Sequence, residues 1–330
     1  MKICLVAPGV MIVPPDGWGA VEILIWDYFN ELLKQGHDVN IVNKLRSNSQ
    51  EQRNINSPYC KELIKEINDG NYDFVHVHYD CIFHILPHLT CKTIGITSHY
   101  PYIDQPEKHM NDGYSGIFDF MVQNNNQFTI FALSKKDYNT FEKSAINKNN
   151  LILMYNGANM DEIDITLSDL KKFKDKTIYL GKIEERKKQH VYKDIPNIHF
   201  YGRCTDSNFK NLTQYKGEPD RRTLLNNLSN YGNMLLLSSG ENGTPLVLKE
   251  ALMAGLPIVI NKYSANDLDL SLPFIDVIPD DKLNDISYIN NIVDINRNKQ
   301  SLHNEIREYA IANFSWNTLI KKYVDNIKNI

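Results

Sequence analysis

Cysteine is scarce and unpatterned in this chain: the five, Cys4, Cys60, Cys81, Cys91 and Cys204, form no C-x-x-C pair and stand at no zinc-type spacing with histidine. Neither a disulfide framework nor a zinc site follows, and reduced thiols in a cytosolic compartment are the simplest reading. An excess of basic charge is also missing. Lys and Arg number 36 against 40 Asp and Glu, a net charge of −4, which is the wrong balance for a protein that must neutralise nucleic-acid phosphates. No apolar run is long enough to span a bilayer. The one stretch that imitates a signal peptide, MKICLVAPGVMIVPP, is interrupted by prolines, lacks a small-residue cleavage site and reads as a buried first strand. The expected location is therefore cytoplasmic, with contact at a membrane surface left open. Fixed-period repeats and low-complexity tracts are absent as well.

What the chain does have is enough apolar residue for two cores: 330 residues, 42% hydrophobic and 23% charged, a length that divides naturally into two domains. Short apolar runs alternate with amphipathic stretches. Lys2 to Val6 is a strand, Ala20 to Gln35 a helix with Val21, Leu24, Ile25, Tyr28 and Leu32 on one face, Gly36 its stop, and Asp38 to Val42 the next strand. Strands follow at Phe74 to Val77, Thr93 to Thr97, Phe128 to Leu133 and Leu151 to Tyr155, with helices at Pro58 to Asn68 and Lys135 to Ser144 between them. A polar tract, Asp161 to Lys176, separates this series from a second one: strands at Thr177 to Leu180, Ile198 to Tyr201, Met234 to Leu237 and Pro257 to Ile260, helices at Arg221 to Ser229 and Leu246 to Ala254. The alternation predicts an α/β protein of two doubly wound, Rossmann-like parallel-sheet domains, 1–165 and 166–313, facing each other across a cleft with ligands at the carboxyl ends of strands.

The most informative stretch is SSGENGTPLVLKEALMAGLPIVIN, Ser238 to Asn261. It leaves a buried strand, turns through Glu241, Asn242, Gly243 and Thr244, and enters a helix at Leu246 whose first N–H groups point back into the turn, an arrangement suited to an anion such as phosphate. Gly243 lets backbone approach a ligand closely. Glu250 shares a helical stripe with Leu246 and Met253, so its carboxylate is expected at the edge of apolar surface, in need of hydroxyl or cationic partners. A solvated Glu beside Lys249 and a plain Asn-Gly turn would explain the same residues equally well.

GENGTPLVLKEALMAGLPIVI resembles the signature of the family 4 (group 1) retaining glycosyltransferases, which have the two-domain GT-B fold, and the likeness extends over most of the chain. Glu250, Ala251, Gly255 and Pro257 match the second half of that signature. The resemblance implies that Glu250 holds the nucleotide ribose hydroxyls, with Gly217 and Glu218 beside the nucleoside. In the first half Asn242 stands where the family has a Glu, and Glu241 lies one residue earlier. Either the turn carries an extra residue and Glu241 reaches the donor sugar, or Asn242 binds the sugar hydroxyls as a neutral amide. Gly243 and Pro245 are then expected at the sugar, Thr244 and Leu246 at the diphosphate. YLGKIEERKKQ, Tyr179 to Gln189, is similar to the family's Gly-Arg turn and Lys-Gly-Gln, with Lys182 for the Arg and Lys188 for the Gly. This implies that Lys182 and Lys187 neutralise the donor diphosphate, although a solvated charge run is the usual meaning of EERKK. PPDGWGAVE resembles the loop after the family's first strand, placing Gly17 and Gly19 near donor phosphate. DFVHVHY and TSHYP match its strands ending in histidine, which puts His99 near the donor sugar and leaves His76 and His78 as structural residues. FSWNTLIKKY corresponds to the family's terminal helix, so 314–330 is expected to return to the first domain.

The implied activity is a metal-independent, retaining hexosyltransferase that needs no cofactor. It would move a sugar from a nucleoside diphosphate sugar, UDP-hexose first and GDP-mannose second, to a hydroxyl of a saccharide, glycan or glycoconjugate. A non-hydrolysing UDP-sugar epimerase of the same fold and an inactive carbohydrate-binding module are the rivals. The absence of a G-x-G-x-x-G fingerprint disfavours a nicotinamide enzyme.

Overall fold

The computed structural model describes residues 1–144, 146–161, 163 and 172–330. They form two compact units, one made of Met1–Asn156 with Trp316–Ile330 and the other of Gly157–Ser315. The boundary expected at 165/166 lies outside the described residues.

The first unit runs β1 (Lys2–Val6), α1 (Ala20–Lys34), β2 (Asp38–Val42), α2 (Pro58–Asp69), β3 (Phe74–Val77), β4 (Ile94–Ile96), α3 (Pro106–Asp112), α4 (Ser115–Gln123), β5 (Thr129–Ala132), α5 (Lys135–Lys143) and β6 (Leu151–Leu153). Its strands make one sheet in the order β2-β1-β3-β4-β5-β6, parallel at every pairing. Local chemistry sets the helix starts. Ser57 accepts the Cys60 N–H at 3.1 Å with Pro58 at the first helical position, and Ser134 accepts the Asp137 N–H at 3.0 Å, each satisfying a donor that the first turn leaves without an intrahelical partner. The α1 stripe closes over the sheet through buried Leu24, Ile25, Tyr28 and Leu32.

The terminal helix, Trp316–Lys328, belongs to this unit, although all of the second unit separates it from β6 in sequence. Trp316 Nε1 donates to Asp27 Oδ2 of α1 at 2.9 Å, and the Tyr323 hydroxyl meets His76 Nδ1 at 2.8 Å. Tyr28 meets that imidazole edge-on, Phe74 and Phe131 at a tilt, and Tyr323 stacks on it, while Trp316 packs edge-on against Tyr28.

The second unit runs β7 (Phe173–Leu180), α6 (Gln189–Tyr192), β8 (Ile198–Tyr201), α7 (Ser207–Lys210), α8 (Arg221–Leu228), β9 (Tyr231–Leu236), α9 (Leu246–Met253), β10 (Ile258–Asn261), β11 (Ile275–Ile278), α10 (Ile286–Arg297) and α11 (His303–Phe314). Its sheet, again parallel throughout, has the order β11-β10-β9-β7-β8. Where the chain enters and leaves this unit the two segments pair, Ala158 N–H donating to Phe314 O at 3.0 Å. Strands β7 and β9 are neighbours, so the loops after them, Gly181 to Lys188 and Leu237 to Pro245, emerge side by side at the carboxyl edge.

Candidate active site

Tyr179, at the end of β7, laces those two loops together. Its hydroxyl donates to the Lys187 carbonyl and accepts the Leu237 N–H at 3.1 Å. Arg186 adds to the lacing: its Nη1 donates to Gly240 O at 2.7 Å, and its own carbonyl accepts the Ser239 N–H at 2.8 Å. In the space so fixed the Lys187 ammonium bonds Glu241 Oε1, and Arg186 Nη1 lies 3.3 Å from Glu241 Oε2. Both Lys187 and Glu241 are 8% exposed. Burial works against the Glu241 charge, but Lys187 and Arg186 outweigh it and hold the carboxyl below its usual range. Burial also pulls the Lys187 ammonium down, against the attraction of Glu241. The carboxylate is thus held ionised by two cations, and its removal or displacement would leave a buried ammonium that needs another anion.

Lys182 differs. Its side chain is 61% exposed and its ammonium lies 3.4 Å from Glu184, which also takes Arg186 Nη2 at 2.9 Å. Gly181 turns the chain at φ 146°, and Lys188, where the resembled family has glycine, adopts a left-handed φ of 58°. Gln189 braces the turn by donating to Gly181 O and Lys182 O.

On the other side of the β9 loop, Gly243 has φ 66°, Asn242 is half-buried, and the Thr244 hydroxyl donates to Asn266 O. Pro245 precedes α9 and no side chain caps that terminus, so the amides from Leu246 onward form the positive end of the helix. One turn further, Glu250 is buried and lies 2.6 Å from Arg221 Nη1 at the start of α8. Gly217 stands in open space, where a Cβ would meet nothing within 4 Å, and its φ of 90° is what favours glycine; Glu218 beside it is exposed.

The remaining predicted residues lie in the first unit. His99 follows β4, with its Nε2 buried and burial lowering its pKa to about 4. A Cβ on Gly19 would stand 2.7 Å from Glu22 Oε2 and 3.0 Å from Met11 Sδ, so a side chain there would push aside the ends of both, whereas Gly17 lies in open space. The structure therefore joins Lys187 with Glu241 and leaves Lys182 at the surface. It also adds two arginines that sequence reasoning passed over. Arg186 was hidden inside the charge run EERKK, and Arg221 in the helix start PDRR, each known by its partner only once the fold brings Arg186 to Glu241 after β9 and Arg221 to Glu250 on α9. Among the described residues no group of three or more His, Cys, Asp or Glu side chains could hold a metal ion, and no helix is long and apolar enough to cross a membrane.

No protein-family model matches the sequence, and no curated protein matches it either. Solved structures do match. The Anabaena protein Alr3699/HepE in complex with UDP-glucose is 12% identical with a TM-score of 0.76, covering 100% of each chain. Sucrose-phosphate synthase from Thermosynechococcus elongatus is 14% identical at a TM-score of 0.72, covering 99% of this chain and 98% of that one. WaaG, a glycosyltransferase involved in lipopolysaccharide biosynthesis, is 13% identical at a TM-score of 0.72, covering 98% and 99%. At such identities the likeness defines the fold: two Rossmann-like parallel-sheet domains of the GT-B type.

Proposed function

We propose that this protein is a retaining, metal-independent glycosyltransferase that uses a nucleoside diphosphate sugar, with UDP-hexose the favoured donor. The observation that carries the reading is the buried Lys187 ammonium, paired with Glu241 and flanked by Arg186, at the carboxyl edge of the second sheet beside the uncapped start of α9. Preorganised cations and helix amides at such an edge stabilise the charge that a leaving nucleoside diphosphate gains as its glycosidic bond breaks. The choice of UDP rests on Alr3699/HepE, a protein of the same fold solved with UDP-glucose, with UDP and with UDP and glucose.

In the proposed reaction the bond between the sugar C1 and the β-phosphate oxygen breaks, and the acceptor oxygen bonds C1 on the same face. The acceptor proton passes to the departing phosphate, so no enzymic nucleophile is needed. Glu250 with Arg221 would serve the ribose, Thr244 and the α9 amides the diphosphate, and His99 the sugar. A thermal-shift panel of UDP-, GDP- and ADP-sugars tests the donor, because a ligand that binds only the folded state raises the melting temperature. The reading predicts stabilisation by a UDP-sugar beyond that by GDP- and ADP-sugars. No shift with any of them would contradict it, and epimerisation of the free nucleotide sugar would replace it.

A further inference from the structure

The first sheet has a ligand crevice of its own. In the order β2-β1-β3-β4-β5-β6 the chain leaves β1 toward one side for β2 and returns across it to β3, so the strand order reverses between β1 and β3. Open α/β sheets bind ligands at the carboxyl ends of strands beside such a reversal. Three loops meet there. Those after β1 and β2 are laced together: Gly9 N–H donates to Asn43 Oδ1 at 3.2 Å, Asn43 Nδ2 to Met11 O at 2.9 Å, and Arg46 N–H to Gly9 O at 3.0 Å. From this frame the half-buried Arg46 side chain reaches the loop after β3, its Nη1 3.4 Å from the Tyr79 hydroxyl and its guanidinium carbon 5.7 Å from the Tyr79 ring centroid. Gln52, 3% exposed, braces the same hydroxyl with its Nε2 at 3.1 Å. What the guanidinium lacks is an anion. Arg186 and Arg221 each face a carboxylate, whereas among the described residues no carboxylate pairs with Arg46, nor with Arg53, exposed at the end of the short helical turn Glu51–Arg53. Tyr79 is no substitute, because burial raises its phenol to about 12 and keeps it neutral. Glu22 feels the Arg46 charge without pairing with it, and burial raises its carboxyl all the same. A half-buried guanidinium held against a neutral phenol, with its planar fork not engaged by a carboxylate, suits a phosphate or carboxylate ligand.

We propose that Arg46 binds an anionic group, a phosphate ester or a carboxylate, carried by the acceptor saccharide, with Arg53 adding positive charge at the rim. The donor diphosphate is assigned to Lys187, Arg186 and the α9 amides of the second unit, so an anion held in the first unit's crevice belongs to the other substrate. The inference rests on the glycosyl-transfer reading and narrows its acceptor from any saccharide hydroxyl to the hydroxyl of an acidic saccharide.

The test titrates the UDP-saturated protein with inorganic phosphate and with acetate, UDP keeping the second unit's cations occupied, while NMR follows the Arg46 Nε–H and the Gly9 amide. Saturable shifts of both signals are expected, with the anion bound about tenfold more weakly by Arg46→Met. Arg46→Lys, which keeps the charge without the fork, should restore part of that loss. Phosphate bound more tightly than acetate identifies a phosphorylated acceptor, and the reverse order a uronic-type acid. Signals that stay in place with both anions while UDP is bound, or equal binding by Arg46→Met, overturn the site. UDP that by itself shifts the Arg46 signal and blocks phosphate puts the arginine at the donor and overturns the acceptor assignment. Mass spectrometry of UDP-glucose with a pool of glucose, glucose 6-phosphate and glucuronate reads the reaction itself: a glucosylated product that carries the anionic group is expected, its KM raised about tenfold in Arg46→Met with kcat less affected, and product from glucose alone overturns the assignment. UDP that does not bind overturns the glycosyl-transfer reading, and the acceptor with it, whatever phosphate does at Arg46.

Discussion

Lys182 and Lys187 carry the same charge five residues apart, and their surroundings give them different weight. The first is mostly solvated beside Glu184, while the second is buried against Glu241, where an ion interaction is screened far less. Lys187→Met is therefore expected to weaken UDP binding more than about tenfold and Lys182→Met less than about threefold in calorimetry; equal effects would contradict the assignment. Lys249 makes a different point at the same scale. It is 3% exposed, with its ammonium 5.5 Å from the Phe314 ring centroid, and burial lowers its pKa from 10.5 to about 7 against the pull of Asp267. Between those two values the unfolded chain binds a proton that the folded chain lacks, so this group makes stability rise with pH. Below about pH 7 both states are protonated and the folded one bears the full cost of the buried charge. Lys249→Met should flatten the rise in stability between about pH 7 and pH 9 seen by urea denaturation, and an unchanged slope would show that the lysine is solvated.

At the scale of elements, the turn after β7 shows what a substitution costs. Lys188 sits at φ 58°, where a side chain is strained by about 1–2 kcal/mol, and glycine gives back part of that through its freer unfolded chain. Lys188→Gly should raise stability by about 0.5 kcal/mol in chemical denaturation; a loss would mean that the Lys188 side chain makes a contact worth more than the strain. This turn also shows how far the sequence was legible. Strands β1, β2, β3 and β8 and helices α1, α2, α5, α8 and α9 fall within two residues of where apolar period and turn residues put them, because each buries one face on its own sheet. Helices α3 and α4 gave no such signal. PEKHMND has no apolar stripe, and only Met121 of SGIFDFMVQ is buried. In the candidate site, Lys187 and Glu250 were legible as residues, but the ion pairs they make were not. Lys187 meets Glu241 only because β7 and β9, far apart in sequence, are neighbours in the sheet.

At the scale of the whole molecule, the chain passes between its two units twice, and its last helix stabilises the unit that was built first. His76 bonds Tyr323 of that helix and Thr97 past β4, so one imidazole joins terminal helix and sheet. His76→Phe should lower hydrogen-exchange protection in 316–328 and in β3 and β4 while leaving 173–315 unaffected; an even loss over both units would contradict separate cores. The central claim is that the second unit's buried lysine and helix start grip the diphosphate of an activated sugar so that its glycosidic bond can break. Mass spectrometry of UDP-glucose incubated with the protein and a chelator tests this most directly, since water can stand in for the acceptor. The account predicts slow release of UDP and free glucose, lost in Lys187→Met. UDP-glucose left intact by the wild-type protein, or hydrolysed equally by the variant, would contradict it.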